Sequence, residues 1–151
     1  PLRKEEDRKA LIQGVKEGLI DVIVSDHKPE GEESKRLPFA QAAEGSIGIE
    51  TLLSLALELY HNGSLPLKKI IETITSNPAK ILKINKGNLK KGSDADLCIF
   101  DIDKPWKVDV LKLKSKSKNS AVENRKLQGK VMMTYLKGES VFKIQWYLKY
   151  F

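Results

Sequence analysis

The chain has 151 residues and a net charge of +7, from 27 Lys and Arg against 20 Asp and Glu. That length fits one domain able to bury about two-thirds of its unfolded surface. No run approaches the ~18 apolar residues of a membrane span, and the single cysteine, Cys98, excludes an internal disulfide. With no signal-peptide pattern at the start, the expectation is a cytoplasmic protein. The first residue is Pro1, so the chain reads as a piece of something longer.

Residues 4 to 19 predict an amphipathic helix. Leu11, Val15 and Leu19 recur every four residues, and Glu5, Glu6 and Asp7 lie in the first turn, where the helix dipole favours negative charge. Val22, Ile23 and Val24 then form an apolar run of the kind found in a fully buried parallel strand. Residues 27 to 46, with Pro29, Gly31, Pro38 and Gly45, show no sustained period and predict a long loop, anchored in part by Arg36, Leu37, Pro38 and Phe39.

A second helix is expected over residues 48 to 62, with Ile49, Leu52, Leu53, Ala56, Leu57 and Tyr60 on one face and Gly63 as its cap. A third begins near Pro66 and buries Ile70, Ile71 and Ile74, and Ser76-Asn77-Pro78 starts a short fourth. His61 has no partner ligands near it in sequence and reads as structural. After Gly87 the period becomes strand-like. Leu97 to Phe100 and Trp106 to Val108 predict separate strands, and Val131 to Tyr135 with Ser140 to Phe142 predict a hairpin around Lys137-Gly138. The domain boundary falls near residue 86, and residues 144 to 151 remain an unassigned tail.

Chemistry is expected where the strand Val22 to Val24 ends, at Asp26. Parallel α/β folds collect ligands at the carboxyl ends of their strands, so a carboxylate there is placed for catalysis. The alternative is that Asp26 caps an Asx-turn. Lys112, Lys114, Lys116 and Lys118 form the densest basic run, but no aromatic residues interleave them. A solvated surface is therefore expected rather than nucleic-acid binding.

Six motifs occur in order: Asp26-His27-Lys28-Pro29-Glu30, Leu37-Pro38-Phe39, Gly45-Ser46-Ile47-Gly48-Ile49-Glu50-Thr51, Ser76-Asn77-Pro78-Ala79-Lys80-Ile81-Leu82, Gly92-Ser93-Asp94-Ala95-Asp96-Leu97 and Ser115-Lys116-Ser117-Lys118-Asn119. Together they resemble the carboxyl-terminal third of a dihydroorotase, from residue 1 to about 143. The resemblance implies an α/β chain forming the carboxyl-terminal part of a metal-dependent (β/α)8 TIM barrel, over residues 1 to 86, plus part of a small β-sandwich domain, over residues 87 to 143. It implies zinc as cofactor and hydrolysis of a cyclic amide, dihydroorotate to and from N-carbamoyl-L-aspartate, in pyrimidine biosynthesis.

By the same resemblance Asp26 is a zinc ligand and the catalytic proton carrier, and the residues at the substrate are Glu30, Glu44 and Gly45, Gly45 through its backbone. The family's histidine ligands and bridging residue have no counterparts here, so the chain is expected to be inactive alone and to need a missing amino-terminal segment. An unpaired strand edge predicts aggregation or homo-oligomers. Family members commonly carry His where Glu30 stands and an apolar residue where Glu44 stands. Those substitutions leave open an allantoinase-like or dihydropyrimidinase-like substrate, or a non-catalytic scaffold that binds another pyrimidine enzyme.

Overall fold

A computed structural model describes residues 4 to 144. Five helices come first: α1 (Glu5–Glu17), α2 (Glu32–Lys35), α3 (Leu52–His61), α4 (Leu67–Ile74) and α5 (Ser76–Ile81). Three strands follow, β1 (Leu97–Lys107), β2 (Lys126–Leu136) and β3 (Glu139–Lys143), paired antiparallel in the order β1-β2-β3. The chain is thus α/β in content with one small antiparallel sheet. No helix among the described residues is long and apolar enough to cross a membrane.

The predicted helices form with shifted faces and ends. At the start of α1, Asp7 Oδ2 accepts the Lys4 N–H, and Gly18 closes the helix in a left-handed conformation. Val15 is buried, but Leu11 and Leu19 are exposed. The second predicted helix starts four residues late, at Leu52, because Gly48 to Thr51 form a turn, and Ile49 is left exposed. Only Ser54, Ala56 and Leu57 of α3 are fully buried.

Two apolar clusters hold the chain together. Val15, Ala56, Leu65 and Ile70 form one between α1, α3 and α4. Val108, Val110 and Leu127 form the other, with Leu55 and Trp106 against it. Helix α3 serves both, and it meets the sheet at β2, where Ser54 Oγ donates to the Gly129 carbonyl at 2.5 Å and Trp106 Nε1 donates to the same oxygen at 3.0 Å. Burying those polar groups costs little because each has a partner.

Several expectations need correction. Val22 to Val24 do not form a buried strand: Val24 is 69 % exposed, and among the described residues the only pairing nearby is a single parallel bridge between His27 and Ser46. A parallel strand is buried only when strands flank it and helices cover both faces. No other strand flanks this one among the described residues. Its backbone is held from α4 and α5 instead, by Ile23 N–H on the Thr73 carbonyl and Asn77 Nδ2 on the Asp21 carbonyl.

Leu37 and Phe39 do not anchor the loop, since they are 48 % and 91 % exposed. That loop contains the one-turn α2. The two predicted strands at Leu97 and Trp106 are one long β1, bent by register shifts after Ile99 and Asp101. The hairpin forms at Lys137-Gly138 as expected, both residues having positive φ. Ile144 donates to the Met132 carbonyl, while residues 145 to 151 of the unassigned tail lie outside the described residues.

Candidate active site

Asp26 ends the extended segment in a left-handed conformation, φ 43°, which Asp tolerates better than most residues. Its side chain is exposed and makes no hydrogen bond among the described residues. The Asx-turn reading therefore has no support, and the carboxylate is free to act on something else. Next to it, His27 Nδ1 accepts the Gly48 N–H at 3.1 Å and lies 3.5 Å from the Ile49 nitrogen. With Nδ1 accepting this main-chain N–H, the ring fastens the start of the loop to Gly48.

Gly45 lies directly over Lys28. It has φ +95°, and a Cβ built on it would sit 2.6 Å from Lys28 Cβ, so only glycine fits. Its carbonyl is held twice, by Lys35 Nζ at 2.9 Å and by Asn119 Nδ2 at 2.9 Å. Glu30 is partly buried and its carbonyl accepts from Ser117 Oγ at 2.7 Å, whereas Glu44 is exposed. Glu30, Glu44 and Gly45 thus belong to one loop closed by the His27–Ser46 bridge, and Asp26 immediately precedes it.

What fixes this loop was missed in the sequence. The lysine-rich segment 113 to 121 packs across it through main-chain bonds. Glu50 accepts the Lys114 and Ser115 N–H groups, one on each oxygen, both at 3.1 Å. The Asn119 carbonyl accepts the Ile47 N–H at 2.8 Å, and Ser46 Oγ accepts the Ala121 N–H at 2.8 Å. The lysines are partly structural here, since Lys118 Nζ donates to the Leu113 and Ser115 carbonyls at 2.8 Å each. Both segments stood out as motifs, but nothing in a separation of more than 60 residues announces that one binds the other.

A cleft of about 490 Å³ lies beside this loop, lined mostly by apolar residues of α1, the extended segment and α3, including Val15, Ile23, Ile47, Leu55 and Leu59. Among the described residues no three His, Cys, Asp or Glu side chains converge. Zinc in a catalytic site takes three protein ligands and an open position. The described residues alone therefore do not make a zinc site, and Asp26 fits one position of such a set. His61 lies at the end of α3, its ring edge-on to Tyr60 and 3.8 Å from Asp103, well outside this loop.

A carboxylate without a hydrogen bond among the described residues, on a loop beside an open apolar cleft, marks a candidate site, and the comparisons give the class. The chain belongs to the amidohydrolase family, whose profile matches residues 2–141. Within the family it is similar to dihydroorotases: 48% identical over 145 residues to that of Ehrlichia chaffeensis, covering 96% of this chain and 32% of the relative. The dihydroorotase of Aquifex aeolicus is 47% identical, with 95% and 34% covered. Among solved structures, the L-hydantoinase (dihydropyrimidinase) of Arthrobacter aurescens superposes with a TM-score of 0.89 at 34% identity, over 95% of this chain and 33% of that one. The chain thus spans about a third of the length of the relatives it matches.

Proposed function

We propose that this chain supplies the carboxyl-terminal third of a dihydroorotase-type active site, catalysing zinc-dependent hydrolysis of a cyclic amide in the cytoplasm, dihydroorotate to and from N-carbamoyl-L-aspartate, for pyrimidine biosynthesis. The observation that carries the reading is close similarity to dihydroorotases along nearly the whole chain, together with an Asp26 carboxylate that is exposed and makes no hydrogen bond among the described residues. Residues 1 to 86 would be the last barrel strand and its helices, and residues 87 to 143 a share of the sandwich. The apolar cleft beside α1 and α3 would receive the rest of the barrel, which also brings the remaining zinc ligands.

Zinc, when bound, supplies a polarised carbonyl and a water acidic enough to attack near neutral pH. Asp26 takes the proton from the attacking water and delivers it to the departing ring nitrogen. Gly45, whose carbonyl is tied down, would face the substrate through its backbone. Glu30 and Glu44 place negative charge near a dianionic ligand, so they disfavour binding unless a cation compensates.

The test is zinc content and dihydroorotate hydrolysis by this chain alone and after mixing with the amino-terminal two-thirds of a dihydroorotase. Alone, the expected result is neither; mixed, stoichiometric zinc and turnover that Asp26→Ala abolishes. Turnover by the chain alone, or a mixture that prefers hydantoin or dihydrouracil, would overturn the assignment.

A further inference from the structure

The loop's own hydrogen bonds gather around α2, where the Ala43 N–H donates to the Ser34 carbonyl and Lys35 Nζ donates to the Ala43 carbonyl. Its α2 contributes one contact to Gly45, from Lys35, and its apolar residues Leu37 and Phe39 face solvent. Further restraint on Glu30, Gly45 and Ile47 comes from segment 113 to 121, whose Lys114–Ser115 end is fixed by one side chain, Glu50. That carboxylate spends both oxygens on consecutive amides, the charge-assisted geometry that is stronger than a neutral hydrogen bond. Glu50 precedes α3, and Thr51 N–H and Leu52 N–H both return to the Gly48 carbonyl, so the carboxylate is mounted on the rigid start of a helix packed in both apolar clusters. From there the path runs through Ser117 to the Glu30 carbonyl and through Asn119 to the Gly45 carbonyl.

We propose that Glu50 is a positioning residue for the substrate loop: by clamping the Lys114 and Ser115 amides it holds Ser117 and Asn119 against the carbonyls of Glu30 and Gly45, and so fixes where the Gly45 backbone is presented. This deepens the proposed hydrolase reading and rests on it for the word substrate, but the mechanical claim stands on this chain alone. A misplacement of about 1 Å in such a group costs binding and rate steeply. Glutamine is the informative replacement, because its amide keeps one accepting oxygen and turns a donor toward the second N–H.

Hydrogen exchange on this chain, read residue by residue, tests it. In Glu50→Gln the Lys114 and Ser115 amides exchange faster by on the order of tenfold or more. The Ile47 and Lys28 amides, which bond to Asn119 and Ser46, accelerate with them, while the amides of α4 do not. Acceleration confined to Lys114 and Ser115 overturns the proposal, since Glu50 would then be a local cap. If Glu50→Gln fails to fold, Asn119→Ala carries the test: it leaves the Glu50 clamp intact, and Ile47 and Lys28 must still accelerate, an unchanged rate refuting the path. In the zinc-loaded mixture Glu50→Gln raises KM for dihydroorotate by about threefold or more beyond any fall in kcat; a fall in kcat alone counts against positioning. A mixture without turnover condemns the assigned reaction, and the exchange result then decides the clamp.

Discussion

Replacing Gly129 by Ala tests how the helical part is joined to the sheet. Gly129 lies in β2 with φ +90°, and a Cβ there would press into Leu57 Cδ1. Leu57 is 0 % exposed, so its side chain has no empty space to swing into. The carbonyl of the same residue takes the Ser54 and Trp106 donors, so β2 cannot slide away without giving up both bonds. A left-handed backbone costs a non-glycine residue about 1–2 kcal/mol and overpacking about 1–3 kcal/mol, together about 2–5 kcal/mol. At about 2–4 °C per kcal/mol for a chain of this size, the melting temperature falls by roughly 10 °C.

Gly138→Ala supplies the control. Gly138 has nearly the same φ, +85°, but its nearest neighbour to a new Cβ is 3.9 Å away, so only the backbone cost of about 1–2 kcal/mol applies. Urea unfolding followed by circular dichroism measures both. If the two variants agree within about 0.5 kcal/mol, the collision with Leu57 is not real and the described join between α3 and β2 is wrong.

Asn77→Ala removes the bond to the Asp21 carbonyl and should cost about 0.5–1.5 kcal/mol in the same urea assay, with the Ile23 amide losing exchange protection; an unchanged midpoint would mean α5 does not hold the extended segment. The Lys86 ammonium and then the Lys137 N–H hold the Asp96 carboxyl below its ordinary 3.8, while Asp94 and then Asp96 hold Lys86 above 10.5. The depressed Asp96 adds stability present above pH 3.8 and lost as pH falls through its folded value; the raised Lys86 adds stability present below 10.5 and lost as pH rises through its folded value. Melting temperature against pH should therefore drop less steeply at both extremes in Lys86→Met than in the unaltered chain, and parallel curves would refute the link. Burial pushes the Cys98 thiol above its ordinary 9.0, so alkylation by iodoacetamide at pH 8 should be slower than for free cysteine and recover in urea, equal rates counting against it.

Local chemistry was legible in the sequence wherever one element decided its own form. Pro66 and Lys137-Gly138 start or join their elements as their backbone preferences require, and the ordered motifs pointed to a family that the match over residues 2–141 bears out. What depended on distant partners was not legible. Val22 to Val24 have the composition of a buried strand, but burial needs neighbours that these residues do not specify. Leu11 and Leu19 follow a helical period and still face solvent, because periodicity names a face without naming what covers it. Asp26 stands out as a candidate from its place at the end of an apolar run, while Glu50, Ser117 and Asn119 lie in the motifs with no visible structural role, since their bonds cross more than 60 residues.

The Glu50 clamp reads main chain rather than side chains, and this sets what the gene is free to change. Positions 114 and 115 contribute only their N–H groups to it. Any residue except proline offers that group, so a saturation library there should return nearly every amino acid and exclude one. The two codons are therefore interchangeable for the clamp, and charge or bulk beside the loop can be altered there without moving it.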